Sequence, residues 1–143
     1  MYRHYVQYYE TDKMGVTHHS NYIRFMEEAR VEFFKNIGLD YFEFEKKGFL
    51  SPVVGINNCR YKRPSTAGDT LDIDVAIKAI GTVTFTMQYV MKNKDVVVLT
   101  GESEHCLLGK DGKIVPLSDK RVASLTENYK SLSLNMPNII GDM

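Results

Sequence analysis

The sequence contains no tryptophan, only two cysteines and four prolines, and no excess charge of either sign, since 18 Lys and Arg stand against 18 Asp and Glu. Each shortage excludes something. The cysteines, Cys59 and Cys106, lie far apart in β-branched, strand-like surroundings without a Cys-x-x-Cys spacing, which argues against a zinc site or a redox dithiol. Zero net charge argues against a nucleic-acid partner, which calls for a basic excess. No apolar run approaches the ~20 residues that span a bilayer. Met1 to Tyr5 alternates polar and apolar residues where a leader would carry charge and then an apolar run, so we expect a reduced, cytoplasmic protein. There is no Gly-x-Ser-x-Gly elbow, and neither cysteine has the setting of a nucleophile.

What is present is enough for one domain over residues 1–143, with 43% hydrophobic residues to build a core. Tyr2 to Tyr9 alternates aromatic and polar side chains and reads as a strand. A loop from Glu10 to His18 follows, and Ser20 or Asn21 can cap the next helix through a side-chain oxygen. In that helix Tyr22, Phe25, Met26, Ala29 and Phe33 form an apolar stripe, with Arg24, Glu27, Glu28, Glu32 and Lys35 opposite and Gly38 as the stop. Asp40 to Lys47 predicts a short helix ending at Gly48. Phe49–Tyr61, Leu71–Ala79, Val83–Met91 and Val96–Leu108 read as strands, with turns at Gly81-Thr82, Lys92–Asp95 and Gly109–Lys113. Short turns between such strands predict an antiparallel meander. Ser118-Asp119 can cap a last helix through Tyr129, and the tail from Ser131 to Met143 lacks periodicity. One long helix laid across an antiparallel sheet is an α+β arrangement.

The chemistry concentrates in the opening loop, where Tyr8, Asp12 and His19 lie close together just before a helix. A carboxylate that is ionised at neutral pH can attack an acyl carbon or deprotonate the water that does. The first turn of a helix offers free N–H donors, so the amides around Val16 to His19 can bind a developing oxyanion. An imidazole can orient a nucleophile or carry a proton, which adds His19. Gly15 lets the backbone approach a ligand closely. Each residue also has a plainer reading: Asp12 as a turn residue, Tyr8 as a packed strand aromatic, His18 and His19 as cap-region side chains. A neighbouring His pair is no metal site by itself, with His105 distant on a predicted strand. No metal is expected.

The spacing Tyr8, Asp12, Gly15, Val16, His19, Tyr22 resembles that of the hotdog-fold acyl-CoA thioesterases, in the group of 4-hydroxybenzoyl-CoA thioesterase and the Tol–Pal-associated thioesterase. Glu27-Glu28-Ala29-Arg30 and the stretch Tyr61 to Leu71 are similar to family sequences too, so that the likeness runs from Tyr5 to about Leu125. It implies a hotdog fold, with a long central helix wrapped by a five-stranded antiparallel sheet. Asp12 would be the catalytic carboxylate, as nucleophile or general base, and the amide of His19 would polarise the thioester carbonyl, with the His19 and Tyr8 side chains contributing. Such proteins pair sheet edge to sheet edge, implying a homodimer or a homotetramer. The substrate would be an acyl-CoA or acyl-carrier-protein thioester, with no cofactor beyond the coenzyme A of the substrate itself. Gly15 and Val16 would lie against the substrate. Lys62 and Arg63, with Arg60, cluster beside a strand end and are candidates for its phosphates. Glu10 stands where several relatives carry Asp, a change not expected to affect the attack.

Two other functions compete. A hotdog hydratase would carry Asp-x-Asn-Pro-x-His, but Met14, Gly15 and Thr17 fill the Asn, Pro and His slots, and the His-Phe-Pro opening of the dehydratases is absent. A non-catalytic module that binds acyl-CoA or acyl-carrier protein would keep the fold without turnover.

Overall fold

The computed structural model describes residues 1–36 and 41–119. In chain order the elements are β1 (Tyr2–Tyr5), a 3-10 turn (Tyr8–Glu10), α1 (Ser20–Asn36), α2 (Tyr41–Lys46), β2 (Val53–Tyr61), β3 (Thr70–Ile80), β4 (Thr84–Asn93), β5 (Val96–Leu108) and β6 (Ile114–Val115). Every strand pairing is antiparallel, in the order β1-β3-β4-β5-β2, with the two-residue β6 added on β5. The expected α+β arrangement of one long helix on a five-strand path is therefore present, and β6 is an addition to it. The meander holds for β3, β4 and β5. β2 instead crosses to the far edge and pairs with β5.

The period-two pattern decides which face is packed. Leu71, Ile73 and Ile77 of β3 and Phe85, Met87, Tyr89 and Met91 of β4 are all buried against the helix side. The alternation of β3 breaks at a bulge between Ile77 and Ala79, which turns Ala79 outward. From α1 the buried residues are Tyr22, Phe25, Met26, Ala29, Arg30 and Phe34. The apolar stripe is thus as expected except that Phe34 takes the buried position and Phe33 is half-buried. Phe25 and Met26 are fully enclosed, and removing such side chains from water is worth ~1.5–3 kcal/mol each. Gly101 lets helix and sheet meet closely, since a Cβ there would lie 2.8 Å from Met26 Cε.

Some boundaries differ from the sequence expectation for identifiable reasons. β1 stops at Tyr5 rather than Tyr9, because the Gln7 N–H donates to the buried Glu10 carboxylate at 2.8 Å and winds the chain into the 3-10 turn. β2 starts at Val53 rather than Phe49: Leu50 and Leu108 exchange backbone bonds at 2.9 and 2.8 Å, and then Pro52, which has no N–H, interrupts the ladder. α2 stops at Lys46, one residue short of the expected Lys47, and Gly48 closes the turn after it as expected, with φ +91° and its N–H donating to Glu45 O at 2.9 Å. Gly38, Asp40 and the last helix through Tyr129 lie outside the described residues.

Candidate active site

The loop between the 3-10 turn and α1 is closed on itself and then pinned to the segment after β2. Asp12 N–H donates to Val16 O and Gly15 N–H to Asp12 O, both at 2.9 Å. Gly15 sits at φ +78° with open space where a Cβ would be, so it is this left-handed turn, rather than close approach of a neighbour, that calls for glycine. Thr17 N–H donates to Ser65 O at 2.7 Å, and the Ser65 hydroxyl lies 2.7 Å from both Thr17 Oγ1 and Tyr22 OH. Thr66 Oγ1 donates to Gly15 O at 2.6 Å. A buried hydroxyl cluster therefore joins the loop, the helix and the approach to β3.

A second anchor was not visible from the motif. Glu10 is fully buried, and its carboxylate accepts from Gln7 N–H and from the Arg24 guanidinium, with His4 Nε2 at 2.8 Å. The Glu10 carbonyl meanwhile accepts His18 N–H and the Asn21 side-chain amide, each at 2.8 Å. This one residue ties β1 to both ends of the Asp12 loop. Arg24, expected on the outer face of α1, reaches back to it. His4 stacks on Phe25 with ring centroids 3.8 Å apart, and its Nδ1 lies 3.0 Å from Glu28, which also accepts the Tyr2 hydroxyl. Burial pulls the His4 pKa below its ordinary value, Glu28 works against that pull, and Arg24 reinforces it. Glu10 could have been singled out as an acid at the end of a window, Tyr2 to Tyr9, that otherwise reads as a half-buried strand.

The start of α1 differs from expectation as well. Neither Ser20 nor Asn21 caps it with an oxygen; Ser20 is already helical, and its N–H donates to His18 Nδ1 at 3.3 Å. Asn21 N–H donates to His18 O and Tyr22 N–H to His19 O. The N–H of His19 has no acceptor among the described residues, so it is a free donor at the leading end of the helix. Asp12 offers a matching feature. Its Oδ1 accepts Met14 N–H at 2.8 Å, which orients the carboxylate, and its Oδ2 has no partner among the described residues.

These two features share a groove of about 290 Å³ lined by Asp12, Met14, Val16, Thr17, His19, Tyr22, Tyr61, Lys62, Arg63 and Pro64. Of the residues singled out in the sequence, the structure thus brings together Asp12, Val16, His19, Lys62 and Arg63. It does not bring Tyr8, which is 88% exposed on the 3-10 turn. Gly15 and Arg60 are outside the lining too. The missed residue is Tyr61, whose OH donates to His19 O at 3.4 Å and whose ring meets those of Tyr22 and His19 edge-on. Burial, then the neighbouring Cys59 and Tyr22, push its phenol up to about 12, so it stays protonated across the physiological range.

A curled antiparallel sheet around one long helix, with an acidic loop at the helix's leading end, defines a class, and comparison with known proteins places the chain in it. A model of the thioesterase-like superfamily matches residues 6–125, and the chain belongs to that family, which carries the hotdog fold. A provisionally named esterase of Aquifex aeolicus (strain VF5) is 38% identical over 117 residues, 82% of this chain and 90% of that protein. The crystal structure of a hypothetical protein from Aquifex aeolicus matches with 34% identity and a TM-score of 0.80, over 87% of this chain and 97% of that one. That of DHNA-CoA thioesterase from Staphylococcus aureus matches with 27% identity and a TM-score of 0.88, over 99% and 94%.

Proposed function

We propose that this protein hydrolyses acyl thioesters of the coenzyme A type to free acid and thiol, with Asp12 as the reacting carboxylate and the His19 amide as the donor to the thioester oxygen. The observation that carries this reading is the pairing of an unengaged carboxylate oxygen with an unengaged helix-leading N–H on one groove. A carbonyl carbon between them would be approached from one side and polarised from the other, and a preorganised donor of that kind is worth ~3–4 kcal/mol in the transition state. Family membership and the DHNA-CoA thioesterase relative support the same chemistry. Met14, Val16 and Pro64 offer apolar wall for the acyl group, and the His19 imidazole faces the same space.

The test is thiol release from a panel of acyl-CoAs, followed with a chromogenic thiol reagent. Asp12→Asn is expected to lower kcat by ~100-fold or more with an unchanged melting curve, because the amide oxygen can still accept Met14 N–H. If wild-type protein releases no thiol from any acyl-CoA or acyl-carrier protein yet binds them, the chain is the non-catalytic binding module instead. We further propose that two copies join through β2, an open sheet edge with Val53 and Val54 about half exposed, as a homodimer or a dimer of dimers. Light scattering at micromolar concentration decides this, and a monomer refutes it. A cytoplasmic location fits such a substrate; among the described residues no helix is long and apolar enough to cross a membrane.

A further inference from the structure

We propose that His4 is a positioning residue for the reaction: from β1 it steers the Glu10 carboxylate, and Glu10 sets the separation of the Asp12 carboxylate and the His19 N–H. This rests on the thioester reading above and deepens it with a residue that lies outside the groove lining.

Glu10 is placed to act on both members of the reacting pair. Its carbonyl accepts His18 N–H and the Asn21 side-chain amide, and His18 directly precedes the donor residue. Toward Asp12 the chain has no slack. Thr11 N–H and Thr11 Oγ1 both donate to Tyr8 O, at 3.1 and 2.7 Å, and Thr11 bridges to Thr17 across the loop. A shift of Glu10 therefore reaches Asp12 through one bonded residue and the His19 N–H through one peptide unit. A misplacement of about 1 Å at a reacting group can cost ~100-fold in rate.

What holds Glu10 follows from its length. The aspartate of several relatives would hold its carboxylate one carbon–carbon bond, ~1.5 Å, nearer the backbone. The longer glutamate reaches two other elements. Its Oε1 meets His4 Nε2 of β1 at 2.8 Å together with Gln7 N–H, and its Oε2 accepts from Arg24 of α1. The added rotatable bond would let the carboxylate wander, and a partner on each oxygen removes that freedom. On this reading the exchange of Asp for Glu is not neutral, because it recruits β1 to the site.

His4 is itself firmly held. It pairs with Leu71 of β3, its ring stacks on Phe25, and Nδ1 lies 3.0 Å from Glu28, which also accepts the Tyr2 hydroxyl. Carboxylates thus face both ring nitrogens, but a neutral imidazole has only one N–H to give. The Glu28 side chain is 36% exposed and has solvent to turn to, whereas the Glu10 carboxylate is sealed. An unmade bond costs most at the sealed acceptor, so the proton belongs on Nε2. Arg24, the other charge facing the ring, already holds Glu10 and opposes a second proton on the imidazole.

The experiment follows one acyl-CoA that wild type hydrolyses, in His4→Phe, Glu10→Asp and the double variant. Phe keeps the stack on Phe25 and offers no donor. Each single variant is expected to lower kcat ~10-fold with KM little changed, and the double no further than the worse single. Ile77→Val, in the core away from the site, is expected to lower the melting temperature and leave kcat at its wild-type value. Full kcat in His4→Phe overturns the proposal. Losses that multiply in the double overturn it too, since His4 would then not act through Glu10. Two measurements need no turnover. Ring-nitrogen NMR is expected to show the Nε2–H tautomer of His4 at pH 7, and a bare Nε2 overturns the assignment. Amide exchange at His18 is expected to quicken ~10-fold in His4→Phe relative to the Tyr89 amide of β4, and an unchanged ratio overturns the link. The same comparison in Glu10→Asp decides if His4→Phe does not fold. A protein that hydrolyses nothing yet shows both signatures would keep the His4–Glu10 link and remove the hydrolase reading.

Discussion

His105 gives a pH dependence whose size follows from the structure. It is fully buried on β5, its ring stacks on Phe85 at 5.2 Å, and Nε2 lies 2.7 Å from Ser103 Oγ. Ser103 Oγ lies 2.6 Å from Tyr89 OH, which accepts from Arg30 of α1 at 3.0 Å, so a polar chain crosses the core from helix to sheet. Burial first, and the Arg30 charge second, push the His105 pKa down to about 3 against a weaker pull from the backbone of Pro52. The unfolded chain, with an ordinary imidazole near 6.5, therefore binds more protons than the native state between about pH 6.5 and 3. The resulting stability is fully present above pH 6.5, falls as the pH falls, and is gone below about 3. At ~1.4 kcal/mol per unit the loss from pH 7 to pH 4 is about 3 kcal/mol. Carboxylates titrate in the same range, so the measurement is a difference. Urea unfolding is run at pH 7, 6, 5 and 4 on wild type and His105→Gln, which keeps a polar partner for Ser103 without a titrating ring. The variant is expected to be less stable at pH 7 and to lose about 3 kcal/mol less than wild type on going to pH 4. Parallel curves for the two proteins would falsify the reasoning, whatever their separation at pH 7.

Three further outcomes follow from the site. His19→Pro removes the unengaged N–H at a position where the leading end of a helix tolerates proline, and is expected to lower kcat by ~100-fold or more while circular dichroism stays unchanged; His19→Ala keeps the donor and should lose far less. Glu10→Gln leaves Arg24 and His4 without their shared carboxylate and should cost about 3 kcal/mol, read as a lower urea midpoint at unchanged slope; a wild-type midpoint would show that the anchor carries no net stability. Gly15→Ala forces a Cβ into φ +78° with nothing nearby to clash, so the expected cost is the backbone term alone, ~1 kcal/mol, and a loss above 3 kcal/mol would mean that the loop rearranges.

How far the sequence foretold this structure depends on the range over which each signal acts. Periodicity is local, and it located α1, β3, β4 and β5 with their buried faces, because Phe25, Leu71 and Phe85 repeat at spacings that only one element type satisfies. Partner choice is not local: nothing between Phe49 and Tyr61 says that β2 pairs with β5 across the sheet. The same distinction runs through the site. Asp12 and His19 were legible because a loop-to-helix junction brings sequence neighbours together in space. Tyr61 reaches His19 from a different strand, and Glu10 meets His4 and Arg24 only once β1 and α1 have packed, so neither has a spacing to betray it. Tyr8 shows the converse, since it fits the motif's spacing and yet the 3-10 turn made by Glu10 swings it to the surface. A buried carboxylate is costly to desolvate unless it is fully bonded, and Glu10 is held by Gln7, His4 and Arg24 together. The loop that carries Asp12 thus owes its shape to Glu10, which lies outside the groove lining, and the Asp12 Oδ2 can remain unengaged among the described residues because its neighbour two residues back meets the structural demand.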